Sequence, residues 1–109
     1  MKNIQLTCAH ALIKYLIAQK TLIDGKKVPL FPGVFGIFGH GNVACLGQVL
    51  QENQKDLPTW RGHHEQNMAL TGIAYSRAKR RKQIFIATSS VGPGSTNMIT
   101  AAAVAMSNR

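Results

Sequence analysis

The segment Thr88-Ser-Ser-Val-Gly-Pro-Gly-Ser-Thr-Asn97 turns an apolar run, Ile84-Phe-Ile-Ala87, directly into an alanine-rich stretch at 98–106. A strand that feeds a helix through glycines leaves backbone N–H groups converging on one opening, where an anion or the polar edge of a ligand can be held. Two similar junctions precede it: Phe38-Gly-His-Gly-Asn42 follows an apolar run at 34–38, and His63-His-Glu-Gln66 follows one at 57–61. Three polar strand-to-helix loops on one edge of a sheet build a site where open α/β sheets place their ligands.

The rest of the chain alternates in the same way. From Thr7, a suitable N-cap, Ala9, Leu12, Ile13, Leu16 and Ile17 recur at helical spacing and predict a first amphipathic helix. Asp24-Gly25, Pro29, Pro32 and Gly33 punctuate what reads as a loop before the first central strand, 34–38. A second helix is expected over 44–50, a second strand over 57–61 and a third helix over 66–79. A third strand over 84–88 and a fourth helix over 95–106 complete the series. Strands separated by helices imply parallel pairing through right-handed crossovers, hence a three-layer α/β domain with a parallel sheet. The whole of 1–109 reads as one unit, and its last helix stops where an α/β chain starts another strand, so a truncated domain is expected.

Composition narrows the class. A hydrophobic fraction of 45% in 109 residues supports one modest core and excludes wholesale disorder. The N-terminal apolar stretch is broken by His10 and Lys14, which fits neither a signal peptide nor a membrane span. Cys8 and Cys45 have no metal-site spacing and no need to form a staple, so a reduced, cytoplasmic setting is the simplest expectation. The net charge of +9 and the cluster Arg77-Ala-Lys-Arg-Arg-Lys82 raise a nucleic-acid surface as an alternative. The cluster also fits the solvated C-terminal end of a helix, where cations complement the dipole.

Two phosphate-binding patterns compete for the loops. Gly39-His-Gly-Asn-Val-Ala44 matches GxGxxA after a strand, with Glu65 at a distance suited to gripping a ribose, so a dinucleotide-binding module is a second alternative. In that motif, however, the acid closes a strand, whereas Glu65 opens a helix. No GK[ST] follows the glycines, which excludes a Walker-type loop. Adjacent His63 and His64 diverge and lack a completing Cys or carboxylate, so no metal site is assigned to this chain. Alternation sends one of the two toward the sheet and the other outward, leaving at most one with a function.

Taken together, FGHGN at 38–42, HHEQNMA at 63–69 and TSSVGPGSTN at 88–97 resemble the pyrimidine-binding domain of thiamine-diphosphate-dependent enzymes. Members of the acetolactate synthase group have a similar EQ motif and a TSGPG-type loop. The inserted Asp24-Gly-Lys-Lys-Val-Pro29, with the FGHGN and SVGPG wording, is closest to the branch of hydrolases that opens a cyclic 1,2-diketone in myo-inositol breakdown. The resemblance implies thiamine diphosphate and Mg²⁺ as cofactors, a small-molecule substrate, and a homo-oligomer with the site completed across a subunit interface. It implies that Glu65 is the activating acid, and that Gly39, His40, Gly41, Asn42, Gly92, Pro93, Gly94 and Asn97 line the cofactor pocket. Substrate contacts fall to His40 and His64. A carboxyl group against N1′ of the aminopyrimidine favours the imino tautomer, which can deprotonate C2 of the thiazolium. Asn67 stands where relatives of this family usually have glycine, which predicts looser packing of the helix there. The GDG and NN residues that hold Mg²⁺ and diphosphate in the family are missing from these residues, so the chain alone is expected to be inactive and to self-associate through exposed apolar surface.

Overall fold

A computed structural model describes residues 3–109. Helix α1 (Cys8–Ala18) starts where the sequence asks, with the Thr7 hydroxyl accepting from the backbone N–H of His10 at 3.2 Å. Its inward face carries Ile13, which is buried, while Leu16 and Ile17 are half-buried.

The next segment corrects an expectation. Residues 20–29 do not form a loop: β1 (Lys20–Ile23) and β2 (Lys26–Pro29) pair antiparallel, with Ile23 opposite Lys26. The two linking residues, Asp24 at φ 50° and Gly25 at φ 75°, adopt the left-handed backbone of a type I′ turn. That turn matches the right-handed twist of paired strands, and Asp-Gly is among its preferred sequences.

Three short parallel strands form the central sheet: β3 (Val34–Gly36) lies between β4 (Thr59–Arg61) and β5 (Ile86–Thr88). Val34 is in register with Thr59 and Ile86, and Gly36 with Arg61 and Thr88. All three strands therefore end at one common edge, as expected, although each is shorter than its apolar run. The ladder runs slightly past the strand ends through Ile37 N–H to Thr88 C=O (3.1 Å) and Gly62 N–H to Gly36 C=O (3.3 Å).

Helices cover both faces. On one side, α1 packs against a helical run that starts at α2 (Gly39–Asn42), widens into a π-helical turn (Val43–Gly47) and ends as α3 (Gln48–Glu52). This run begins five residues earlier than the expected 44–50, because Gly39 itself is the first helical residue. The widened turn sits beside the Phe38 ring, which a Cβ on Gly47 would approach to 3.3 Å. Ile13, Val34, Val49, Leu50 and Leu57 form the buried core on this side. Burying side chains of this size stabilises the fold by about 1.5–3 kcal/mol each, against the conformational entropy of ordering them.

On the other face, α4 (Glu65–Ala78) leaves β4 and packs against β3 and β5 before the chain returns as β5. The buried Gly72 lets α4 approach Phe85 closely, since a Cβ there would lie 3.5 Å from the Phe85 carbonyl oxygen. Phe35 stacks on Phe85 at 4.6 Å, and Tyr75 meets Phe85 edge-on at 5.2 Å. The expected fourth helix is split into α5 (Pro93–Thr96) and α6 (Ile99–Ser107), with the break at Asn97 and Met98. The result is a three-layer α/β arrangement around a parallel sheet. Among the described residues, no helix is long and apolar enough to cross a membrane.

Candidate functional site

The loops that follow β3, β4 and β5 meet at the common strand edge, and the third loop is the hub. Its contact with the first loop depends on glycine. Gly39 has φ 60°, and a Cβ on it would stand 2.5 Å from the Ser90 Cβ, so any other residue there would force the loops apart. Asn42 reinforces the contact by donating from Nδ2 to the Ser89 carbonyl at 3.4 Å.

The third loop is tied together internally by its hydroxyls. Ser95 Oγ donates to the Ser90 carbonyl at 2.8 Å and lies 3.2 Å from Ser89 Oγ, while Thr96 Oγ1 donates to the Gly92 carbonyl at 3.0 Å. Gly92 has φ 65° and ψ −118°, a conformation that a side chain would strain, and Pro93 takes the first helical position of α5. Gly94 is buried beneath the loop.

Glu65 comes from the second loop as the first residue of α4, preceded by His64 in extended conformation at the cap position. Asn97, just beyond α5, donates from Nδ2 to Glu65 Oε2 at 3.1 Å. The contact joins the loops of the two outer strands and spans 32 positions of chain. The Asn97 amide holds the Glu65 carboxyl below the usual carboxylate range, helped by the Glu65 backbone N–H and the nearby His64, with partial burial opposing. A carboxylate at a helix N-terminus is favoured for the same electrostatic reason.

The residues singled out from the sequence do not all share this arrangement. Gly39, Asn42, Glu65, Gly94 and Asn97 are linked through the third loop. His40 and Gly41 lie in the exposed first turn of α2, and Gly92 and Pro93 are exposed on the rim. His63 and His64 are both exposed, which corrects the expectation that one faces the sheet. Both precede α4 in the connection outside the strand, so strand alternation does not act on them. Sequence reasoning passed over Ser90, whose side chain lies against Gly39 and Gly94. The signal was the serine pair before the glycines, since short side chains are what a tight loop crossing admits.

The competing readings find less support. Glu65 is engaged by Asn97 inside α4 rather than placed at the end of a strand as a ribose ligand requires. In the basic cluster, Arg81 donates from Nη2 to the Asn108 carbonyl at the end of α6 (2.9 Å), and Lys79 Nζ sits 5.7 Å from the Tyr75 ring centre. Arg81 thus serves the end of α6, and Lys79 lies against an aromatic ring. Cys8 and Cys45 are both free and exposed. An apolar cleft of about 500 Å³ lies between α4, α6 and β5, lined by residues such as Gly72, Ile73, Phe85 and Ala101, and shares none of the polar loop residues.

Residues 32–109 match the model of the thiamine pyrophosphate enzyme, N-terminal TPP binding domain. The chain is 49% identical over 108 residues to 3D-(3,5/4)-trihydroxycyclohexane-1,2-dione hydrolase of Clostridium tetani, covering 99% of this chain and 17% of the relative. It is 51% identical to the protein of the same name from Geobacillus thermodenitrificans and 49% to that of Bacillus thuringiensis, with the same coverage. The chain thus spans about one sixth of the length of the curated relatives it matches. No solved structure matches it. The matched region contains all three loops of the site, and the chain belongs to the thiamine pyrophosphate enzyme family as a member of its N-terminal TPP-binding domain.

Proposed function

We propose that this chain supplies the pyrimidine side of a thiamine-diphosphate site in a hydrolase that cleaves a C–C bond of trihydroxycyclohexane-1,2-dione, within myo-inositol catabolism in the cytoplasm. The observation that carries the reading is the Glu65 carboxylate, fixed at the N-terminus of α4 beside a glycine-lined loop. The donor set fits the cofactor: a carboxylate for a ring nitrogen, with the Asn42 and Asn97 amides at the margins and Gly39 and Gly94 letting the loops close tightly on Ser90 around it. The relatives' shared name supports the substrate class.

In this reading Glu65 holds a proton at N1′ of the aminopyrimidine. Gly39, Gly41, Gly92, Pro93 and Gly94 shape the wall, and the exposed His40 and His64 face the substrate. Bound thiamine diphosphate supplies a carbon nucleophile at thiazolium C2, which is what cleavage next to a carbonyl requires. Glu65 has a carboxyl held in its ionised form, so partial burial under a ring raises its proton affinity toward the value an acid–base group needs. Diphosphate and Mg²⁺ are held by residues outside this chain, and the site is completed in a homo-oligomer. The chain by itself has no complete catalytic set.

The test is ring opening of trihydroxycyclohexane-1,2-dione by a polypeptide of the relatives' full length that carries these 109 residues, followed as acid release. Turnover that requires both thiamine diphosphate and Mg²⁺ is the expected result. Turnover of the diketone that persists after the cofactor is stripped, or none with the cofactor present, overturns the reading.

A further inference from the structure

The third loop does more than wall the pocket. Asn97 reaches across from the far outer strand to take Oε2 of Glu65 at 3.1 Å. The other oxygen, Oε1, lies on the side of Gly94, where a Cβ would stand 3.1 Å from it, and the Glu65 backbone N–H also bonds the carboxyl. The two carboxylate oxygens are therefore not equivalent: one is occupied by an amide donor, and the other overlies backbone stripped of its side chain.

We propose that Asn97 is the positioning residue of Glu65: it fixes the carboxylate's rotation by binding Oε2 and leaves Oε1, over Gly94, as the oxygen offered to a ligand's ring nitrogen. The proposal rests on the thiamine-site reading for the identity of that ligand, but the Asn97–Glu65 pairing itself does not. Three features support it. Asn97 caps the C-terminus of α5, and its backbone N–H is tied to the Pro93 carbonyl at 3.1 Å, so the amide is presented from a fixed base. The break between α5 and α6 falls at Asn97 and Met98, which turns the side chain toward α4 instead of along a continuous helix. An amide donor also favours the charged carboxylate, in keeping with the lowered proton affinity of Glu65. The one charged group shown to act on Glu65 is the adjacent His64, which also favours the ionised carboxyl. No charged residue lies in the third loop, so its influence on Glu65 comes through the Asn97 amide.

The experiment is a carbon-13 NMR titration of a selectively labelled Glu65 side-chain carboxyl in the full-length polypeptide, stripped of cofactor. In the unmodified chain, the Nδ2 proton shifts of Asn97 should titrate with the midpoint of the Glu65 carboxyl. In Asn97→Ala and Asn97→Ser, the Glu65 midpoint should move up toward the ordinary carboxylate value, and Asn97→Asp should move it further by like charge. Asn97 amide protons that ignore the Glu65 midpoint would overturn the proposal, and that result needs no variant to fold. A Glu65 midpoint unchanged in a folded Asn97→Ala would overturn it equally. A second arm separates this outcome from the cofactor reading. In the full-length polypeptide, Asn97→Ala should shift the acid limb of the pH profile of thiazolium C2 exchange upward, and lower the exchange rate more than it weakens cofactor binding. If the titration behaves as expected and C2 exchange is indifferent to both Asn97 and Glu65, the positioning stands and the thiamine site falls.

Discussion

Gly94 lies directly beneath the Glu65 carboxylate, so close that a Cβ on it would stand 3.1 Å from Oε1 while also striking Ser90 Oγ. Glycine at this position is therefore a steric requirement of the site, separate from any backbone freedom. Gly94→Ala should push either the Ser90 side chain or Glu65 out of place. The expected result is a large loss of cofactor-dependent activity in the full-length polypeptide. Gly72→Ala is the contrasting case, because its added methyl meets Phe85 atoms at 3.5 and 3.6 Å, which is ordinary van der Waals contact. Alanine inside a helix is better than glycine by about 1 kcal/mol, so Gly72→Ala should be neutral to slightly stabilising in denaturant unfolding. Equal damage from the two substitutions would show that the site places no special demand at Gly94.

Leu50 and Leu57 are fully enclosed between α1, α3 and the sheet. Leu50→Ala should lower the unfolding free energy by about 2–5 kcal/mol, the range for a leucine cavity that the surroundings cannot fill. Thr7→Ala removes the α1 cap and should cost about 1 kcal/mol. A fall in the denaturant midpoint much larger for Thr7→Ala than for Leu50→Ala would contradict the core assignment.

The order of elements, the parallel pairing and the common edge that carries the three loops could be read from the apolar runs and the glycines between them. Glu65 at a helix start was legible for the same reason, since two histidines and a polar run follow a strand there. The hairpin at Lys20–Pro29 was not, because Thr21, Ile23 and Val28 are only half-buried and give a weak alternation. The available signal was its Asp-Gly turn, which also marks loops and so does not by itself specify a hairpin. The Asn97–Glu65 contact was beyond reach of local reasoning: it depends on where α4 starts relative to the end of α5, which the sheet order sets and no spacing encodes.

Acid should weaken the fold partly through Glu65. Its proton affinity is lowered in the folded chain, chiefly by the Asn97 amide, so its contribution is present above the unfolded carboxylate pKa and is lost as pH falls through the lower folded value. The carboxylate is still partly exposed to solvent, so the effect should be small. The stability of the chain, measured by denaturant unfolding from neutral pH down through the carboxylate range, should fall less steeply in Glu65→Gln than in the unmodified protein. Identical slopes would mean that the Asn97 contact contributes nothing to the carboxylate's ionisation.

The decisive chemical prediction concerns Glu65→Gln in the full-length polypeptide. Glutamine preserves the size of the side chain but cannot supply a proton to N1′ of an aminopyrimidine. If Glu65 serves as the acid–base group, the rate of thiazolium C2 proton exchange at saturating thiamine diphosphate should fall by about 10²–10⁴-fold, the usual scale of general acid–base catalysis. Cofactor affinity should change much less if, as proposed, diphosphate and Mg²⁺ are held outside this segment, since the substitution leaves the glycine-rich loop untouched. Glu65→Asp offers a graded control: it keeps the carboxyl but withdraws it by one methylene from both Asn97 and the space above Gly94, so exchange should fall to a value between the two. Deuterium exchange at C2 followed by proton NMR measures all three proteins directly. Equal rates in the glutamine variant and the unmodified enzyme would reduce Glu65 to a helix-capping carboxylate and leave the three-loop arrangement without its acid.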